Sequence, residues 1–127
     1  MSVTTKDIGD IGEKAAVKFL KKDGYKIVGR NKHFSHNEID IIAEDNDYIV
    51  FVEVKARSVD PAFGSPFGPP SSAVTRAKQL RLIQAANAYL KQNHTTKQPR
   101  MDVVEVWLDK ISGKVLKINH IRNAYGV

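Results

Sequence analysis

The nine residues Tyr48–Ala56, reading YIVFVEVKA, constrain this chain more than any other segment. A run this rich in β-branched and aromatic residues reads as a central strand. Side chains alternate along a strand, so Val50, Val52 and Val54 share one face, and Phe51, Glu53 and Lys55 share the other. The valine face suits a core. The opposite face sets a carboxylate and an amine two residues apart in a segment that otherwise calls for burial. Just upstream, Glu38–Glu44 alternates in part, and Asp45-Asn46-Asp47 supplies turn chemistry, so the two segments are expected to form a hairpin. Asp40, between Ile39 and Ile41, then lies opposite or diagonal to Glu53. Such neighbours have Cβ atoms about 4.5–5.5 Å or 7–8 Å apart.

Around this hairpin the chain reads as one domain over residues 1–127. Ile8, Gly12, Ala15, Ala16, Phe19 and Leu20 recur at helical spacing and predict a first helix over Asp7–Asp23, stopped by Gly24. Tyr25–Gly29 reads as a short strand, and Arg30–Asn37 as irregular. Ser58–Ser72 holds four of the five prolines and two glycines, which predicts a long flexible loop. A second helix is expected over Ala73–Gln92, with an apolar stripe of Leu82, Ile83, Ala86, Tyr89 and Leu90. Met101–Leu108 and Val115–Ile121 read as further strands. This order predicts an α/β protein with helices packed on a mixed sheet.

Two partly buried carboxylates at hairpin distance repel unless something neutralises them. A divalent cation does so. With no cysteine in the chain, an oxygen-only donor set favours Mg²⁺ or Mn²⁺. Asp40 and Glu53 are the candidate metal ligands, and Lys55 the group placed to orient or activate an attacking water. The alternative is a cross-strand salt bridge on a solvated face, but that face also carries Ile49 and Phe51. Glu13 borders the apolar stripe of the first helix. It reads either as a further ligand of the same site or as a first-turn acid favoured by the helix dipole. His33, His36, His94 and His120 lack zinc spacing and read as surface or satisfied residues, and Trp107 and Tyr89 as core.

Charge is unevenly distributed. The first 63 residues hold 10 Lys/Arg against 11 Asp/Glu; the remaining 64 hold 10 against 3. Between Pro61 and Met101 there is no acid, and Arg76, Lys78, Arg81, Lys91, Lys97 and Arg100 fall there. A one-sided basic surface suits a phosphate backbone. Arg57, Arg76, Lys78 and Arg81 are the candidate nucleic-acid contacts. No apolar run approaches the roughly 20 residues of a membrane span, and the N-terminus lacks a secretory h-region. A soluble, cytoplasmic protein is the expectation.

Several short words extend the hairpin pattern. Gly12-Glu13, Gly24-Tyr25 with Arg30-Asn31, Glu38–Ala43, Val50–Arg57, Ala73-Val74 with Lys78, Asp102-Val103-Val104, and His120-Ile121 with Asn123-Ala124 occur in order. Together they resemble the YraN-like family of the restriction-endonuclease-like, or PD-(D/E)XK, nuclease superfamily. The spacing of Asp40 to Glu53-Val54-Lys55 resembles the superfamily signature, with Ile39 where its name has proline. The resemblance implies a restriction-endonuclease-like three-layer α/β/α fold with a central mixed sheet. It implies Asp40 and Glu53 as metal ligands, Glu13 near the metal, and Lys55 beside the attacking water. Kinship with Holliday-junction resolvases implies DNA as substrate, branched DNA included, and by analogy a homodimer. Two rivals stand beside the nuclease: a non-catalytic nucleic-acid-binding module on the same fold, and an interaction protein whose basic face meets an acidic partner.

Overall fold

In the computed structural model, residues 3–34, 36–60 and 74–126 are described. Helix α1 spans Thr5–Lys22, and strands β1, β2 and β3 span Lys26–Phe34, Asn37–Glu44 and Tyr48–Val59. Helix α2 spans Arg76–Gln92, followed by β4 (Gln98–Asp109) and β5 (Val115–Tyr125). The strands form one sheet in chain order, with β3 and β4 parallel and every other neighbouring pair antiparallel. The expected Pro/Gly loop at 58–72 falls mostly on residues outside the described set. Its first two residues, Ser58 and Val59, belong to β3.

The two faces of the sheet carry two apolar cores. On one, Ala16, Val17 and Leu20 of α1 pack against Ile41, Val50, Val52, Val104, Val106 and Leu108. On the other, Leu82, Ala85 and Ala86 of α2 pack against Ile39, Ile42, Phe51, Met101 and Val103. Helix, mixed sheet and helix make the three-layer α/β/α arrangement that the family resemblance implies. Tyr89 joins the second core edge-on to Phe51 and Phe34, and Trp107 is buried.

Local chemistry sets the element ends. Thr4 caps α1, accepting from the Asp7 amide while the Asp7 carboxylate accepts from the Thr4 amide, a reciprocal capping box. In the β2–β3 turn the Asp45 side chain accepts from the Asp47 and Tyr48 amides. Gly24 takes a φ of +94°, the left-handed conformation that glycine adopts freely, to end α1. At Gly12, an added Cβ would stand 2.5 Å from the Ala56 Cβ. Helix α1 therefore lies directly on β3, which brings the adjacent Glu13 to the sheet.

One expectation is corrected. Arg30–Phe34, read as irregular, continues β1, with a register shift between Ile27 and Gly29 and Asn31 at a φ of +51°. As an edge strand with much of its surface exposed, β1 needs no apolar alternation, so the sequence carries little trace of it.

Candidate active site

The site forms where β2 and β3 stop pairing. Their ladder runs from Glu44↔Ile49 to Ile41↔Val52. One residue further, Asp40 would face Glu53. There the Asp40 carboxylate, through Oδ2, accepts the Val54 amide at 2.8 Å. A side chain thus takes a strand amide at the point where the ladder ends. The alternation of β2 slips at the same point: Ile39 belongs to the α2-side core and Ile41 to the α1-side core, though strict alternation would place both on one face. Asp40 consequently stands at a seam between the two faces. It lines a cavity of about 340 Å³ on the α2 side together with His36, Asn37, Glu38, Glu53, Lys78 and Arg81. It also lines a cavity of about 410 Å³ on the α1 side with Asp10, Glu13, Asn31 and Glu38.

The electrostatics of the pair are unfavourable as they stand. Burial raises the Asp40 carboxyl to a pKa of about 7, reinforced by the charge of Glu53 and, more weakly, of Glu13, against the Val54 amide, which lowers it. Glu53 is buried and is met by Lys78, whose Nζ lies 2.6 Å from Oε1. Asp40 and Glu53 are therefore brought together as the hairpin register implied. Glu13 is near enough to act on Asp40, but its Oε1 accepts from Arg30 Nε at 3.1 Å and Asn31 Nδ2 at 3.0 Å. Among the described residues no group of three or more histidine or acidic side chains converges as a ready-made metal site. The carboxylate pair is present, and Glu13, the third acid expected beside it, is bonded to Arg30 and Asn31 of β1.

Lys55 is half-buried on the Glu53 face of β3, at the register position of Glu105 in β4. Of the candidate phosphate contacts, Lys78 and Arg81 line the α2-side cavity, Arg76 donates to Gln79 at 3.2 Å, and Arg57 lies further along β3 beside Trp107 of β4.

A second polar cluster joins residues that the sequence reading named only separately. Asp102 of β4 is 0% exposed, and both its oxygens are bonded by Arg100 at 2.9 Å. It also meets His120 Nε2 at 2.7 Å and accepts the Asn123 amide at 2.9 Å. Arg100 in turn donates to Tyr25 Oη at 2.7 Å and lies over the Tyr48 ring. Burial pushes the Asp102 carboxyl up, but His120, Arg100 and the Asn123 amide outweigh it and hold the pKa below the ordinary value. This network ties β5 and the start of β1 to β4. A detectable signal did exist: Arg100 and Asp102 share one face of a strand whose neighbours are apolar.

Fold and site together define a restriction-endonuclease-like α/β/α protein with a paired-carboxylate cavity at the open end of its β2–β3 hairpin. The chain belongs to the uncharacterised protein family UPF0102, the YraN family, whose profile matches residues 12–106. It is 41% identical over 97% of its length to a UPF0102 protein of Caldanaerobacter subterraneus, covering 98% of that relative. A relative from Symbiobacterium thermophilum is 47% identical over 78% of this chain and 80% of its own. One from Clostridium botulinum is 38% identical over the full length of both. Among the described residues no helix is long and apolar enough to cross a membrane.

Proposed function

We propose that this protein is a metal-dependent endonuclease that hydrolyses DNA phosphodiester bonds, with Asp40 and Glu53 as the metal ligands. The observation that carries the reading is the unmet charge at the hairpin end. Two carboxylates share a cavity, and one is held near a pKa of 7 by burial and by its neighbour's charge. Buried excess negative charge of this kind fits a cation. Oxygen donors alone fit a hard one, Mg²⁺ or Mn²⁺. When bound, such an ion supplies the Lewis acidity that makes water nucleophilic near neutral pH and offsets charge developing on the phosphate.

The protein's own groups do the rest. Asp40 and Glu53 fix where the cation sits, since one is held on the Val54 amide and the other is buried in β3. Lys78 and Arg81 line the cavity that opens on the α2 side, where their positive charge attracts and orients a phosphate. Lys55, on the Glu53 face, is the amine that orients the attacking water. Branched DNA is the substrate class that the resemblance to junction resolvases implies.

The test is cleavage of linear, flapped and four-way DNA in Mg²⁺ or Mn²⁺. Asp40→Ala and Glu53→Ala are each expected to lower the rate by at least about 10²–10³, the usual effect of removing one charge-stabilising group. Cutting at the wild-type rate by both variants overturns the reading. Salt-sensitive DNA binding without cleavage of any substrate leaves the non-catalytic binding module.

A further inference from the structure

We propose that Lys78 is a resident stand-in for the metal: its ammonium neutralises Glu53 in the metal-free protein and yields that position when a divalent cation binds, becoming available to the substrate phosphate. The proposal rests on the metal-dependent reading above and assigns Lys78 as a positioning residue of that site.

Three observations carry it. First, the ammonium sits 2.6 Å from Glu53 Oε1, so it holds one of the two oxygens a cation would need. Second, the two partners differ in freedom. The Glu53 side chain is 8% exposed and fixed in a central strand, whereas the Lys78 side chain is 41% exposed. When the pair separates, the lysine is the partner that moves, and its flexible stem keeps it within the cavity it shares with Arg81 and His36. Third, Lys78 lies in the first turn of α2, where its amide donates to the Thr75 hydroxyl at 3.2 Å. That turn contains no acid and begins with Arg76. Cations at the positive end of a helix dipole are unfavourable. A lysine kept there, reaching 25 residues back in sequence to Glu53, fits a group that always has an anion to meet. That anion is Glu53 before metal loading and a phosphate afterwards.

A cation that must displace an ammonium binds more weakly than one that meets a free carboxylate. Removing the lysine should therefore move metal affinity and metal-free stability in opposite directions. A merely structural salt bridge would lower both. The experiment is calorimetric titration of the full chain with Mn²⁺ in the absence of DNA, paired with melting curves in EDTA and in Mn²⁺, for wild type and Lys78→Met. Lys78→Met is expected to bind Mn²⁺ about fivefold more tightly, the upper end for an ion pair with one exposed partner. It should melt lower than wild type in EDTA and recover in Mn²⁺. Should the Met variant fail to fold, Lys78→Gln keeps a neutral donor to Glu53 and should show a smaller gain of the same sign. Mn²⁺ binding that is unchanged or weaker in the lysine variants overturns the proposal and leaves the metal site standing. No Mn²⁺ binding by any of these proteins overturns both.

Discussion

The Asp40–Glu53 site and the Asp102 network are both built on acids buried in strands of one sheet, yet burial leads them to opposite states. Asp102 meets a guanidinium on both oxygens, an imidazole and a backbone amide, and its pKa falls. Asp40 meets one backbone amide and two other acids, and its pKa rises to about 7. Desolvation opposes the charged form in both places; the partners decide the outcome. One cluster is complete without anything from solution, and the other is short of positive charge. A buried acid is therefore weak evidence of function until its partners are counted.

The largest expected effect tests the completed cluster. Asp102→Ala strands Arg100 and His120 without their acceptor and should cost about 3–5 kcal/mol, the range for breaking a buried ion pair. Chemical denaturation would measure it, and a loss under 1 kcal/mol would mean the network is not the lock it looks like. Asp40→Asn should act in the opposite sense, stabilising the metal-free protein by about 2 kcal/mol at pH 8, roughly half the ceiling set by a shift of this size. The sign follows from proton binding. With a folded pKa near 7 against 3.8 for an ordinary aspartate, the folded state holds the proton more tightly. Stability contributed by this group thus falls as pH rises from about 4 to about 7. Melting curves across that range should show the advantage of the Asn variant growing with pH; an advantage independent of pH contradicts the assignment. Gly12→Ala should cost about 1–3 kcal/mol by forcing α1 off Ala56, and should weaken the proposed DNA cleavage by carrying Glu13 with it. Tyr125→Phe gives the smallest change. The Tyr125 hydroxyl is buried, finds no hydrogen-bond partner among the described residues, and has its pKa raised by burial and by the charges of both Glu53 and Asp102. Removing it should be neutral or stabilising by about 0.5–1 kcal/mol in a thermal melt.

What could be read from the sequence follows the same division. The hairpin, its turn and the convergence of Asp40 with Glu53 were legible because strand period and turn chemistry are local. Helix α1 was legible from its stripe and its Gly24 stop. The far half of β1 was not, since an exposed edge strand can be polar throughout. The Lys78–Glu53 contact spans 25 residues and a chain crossover, so no local pattern announces it. His120 was read as a surface or satisfied residue; the structure shows it satisfied, by an aspartate 18 positions away. Position 39 carries Ile where the superfamily name has proline. Here Ile39 fills the α2-side core, so packing explains the residue.

The bond from the Val54 amide to Asp40 makes side-chain length a requirement at position 40. Aspartate reaches that amide with one methylene. Glutamate, identical in charge, would carry its carboxylate past the amide and into the space of Glu53. A same-charge replacement should then disturb the end of the hairpin more than the uncharged amide of Asn, which keeps an oxygen at the same reach. For the end of the hairpin, the reach of this side chain counts for more than its charge.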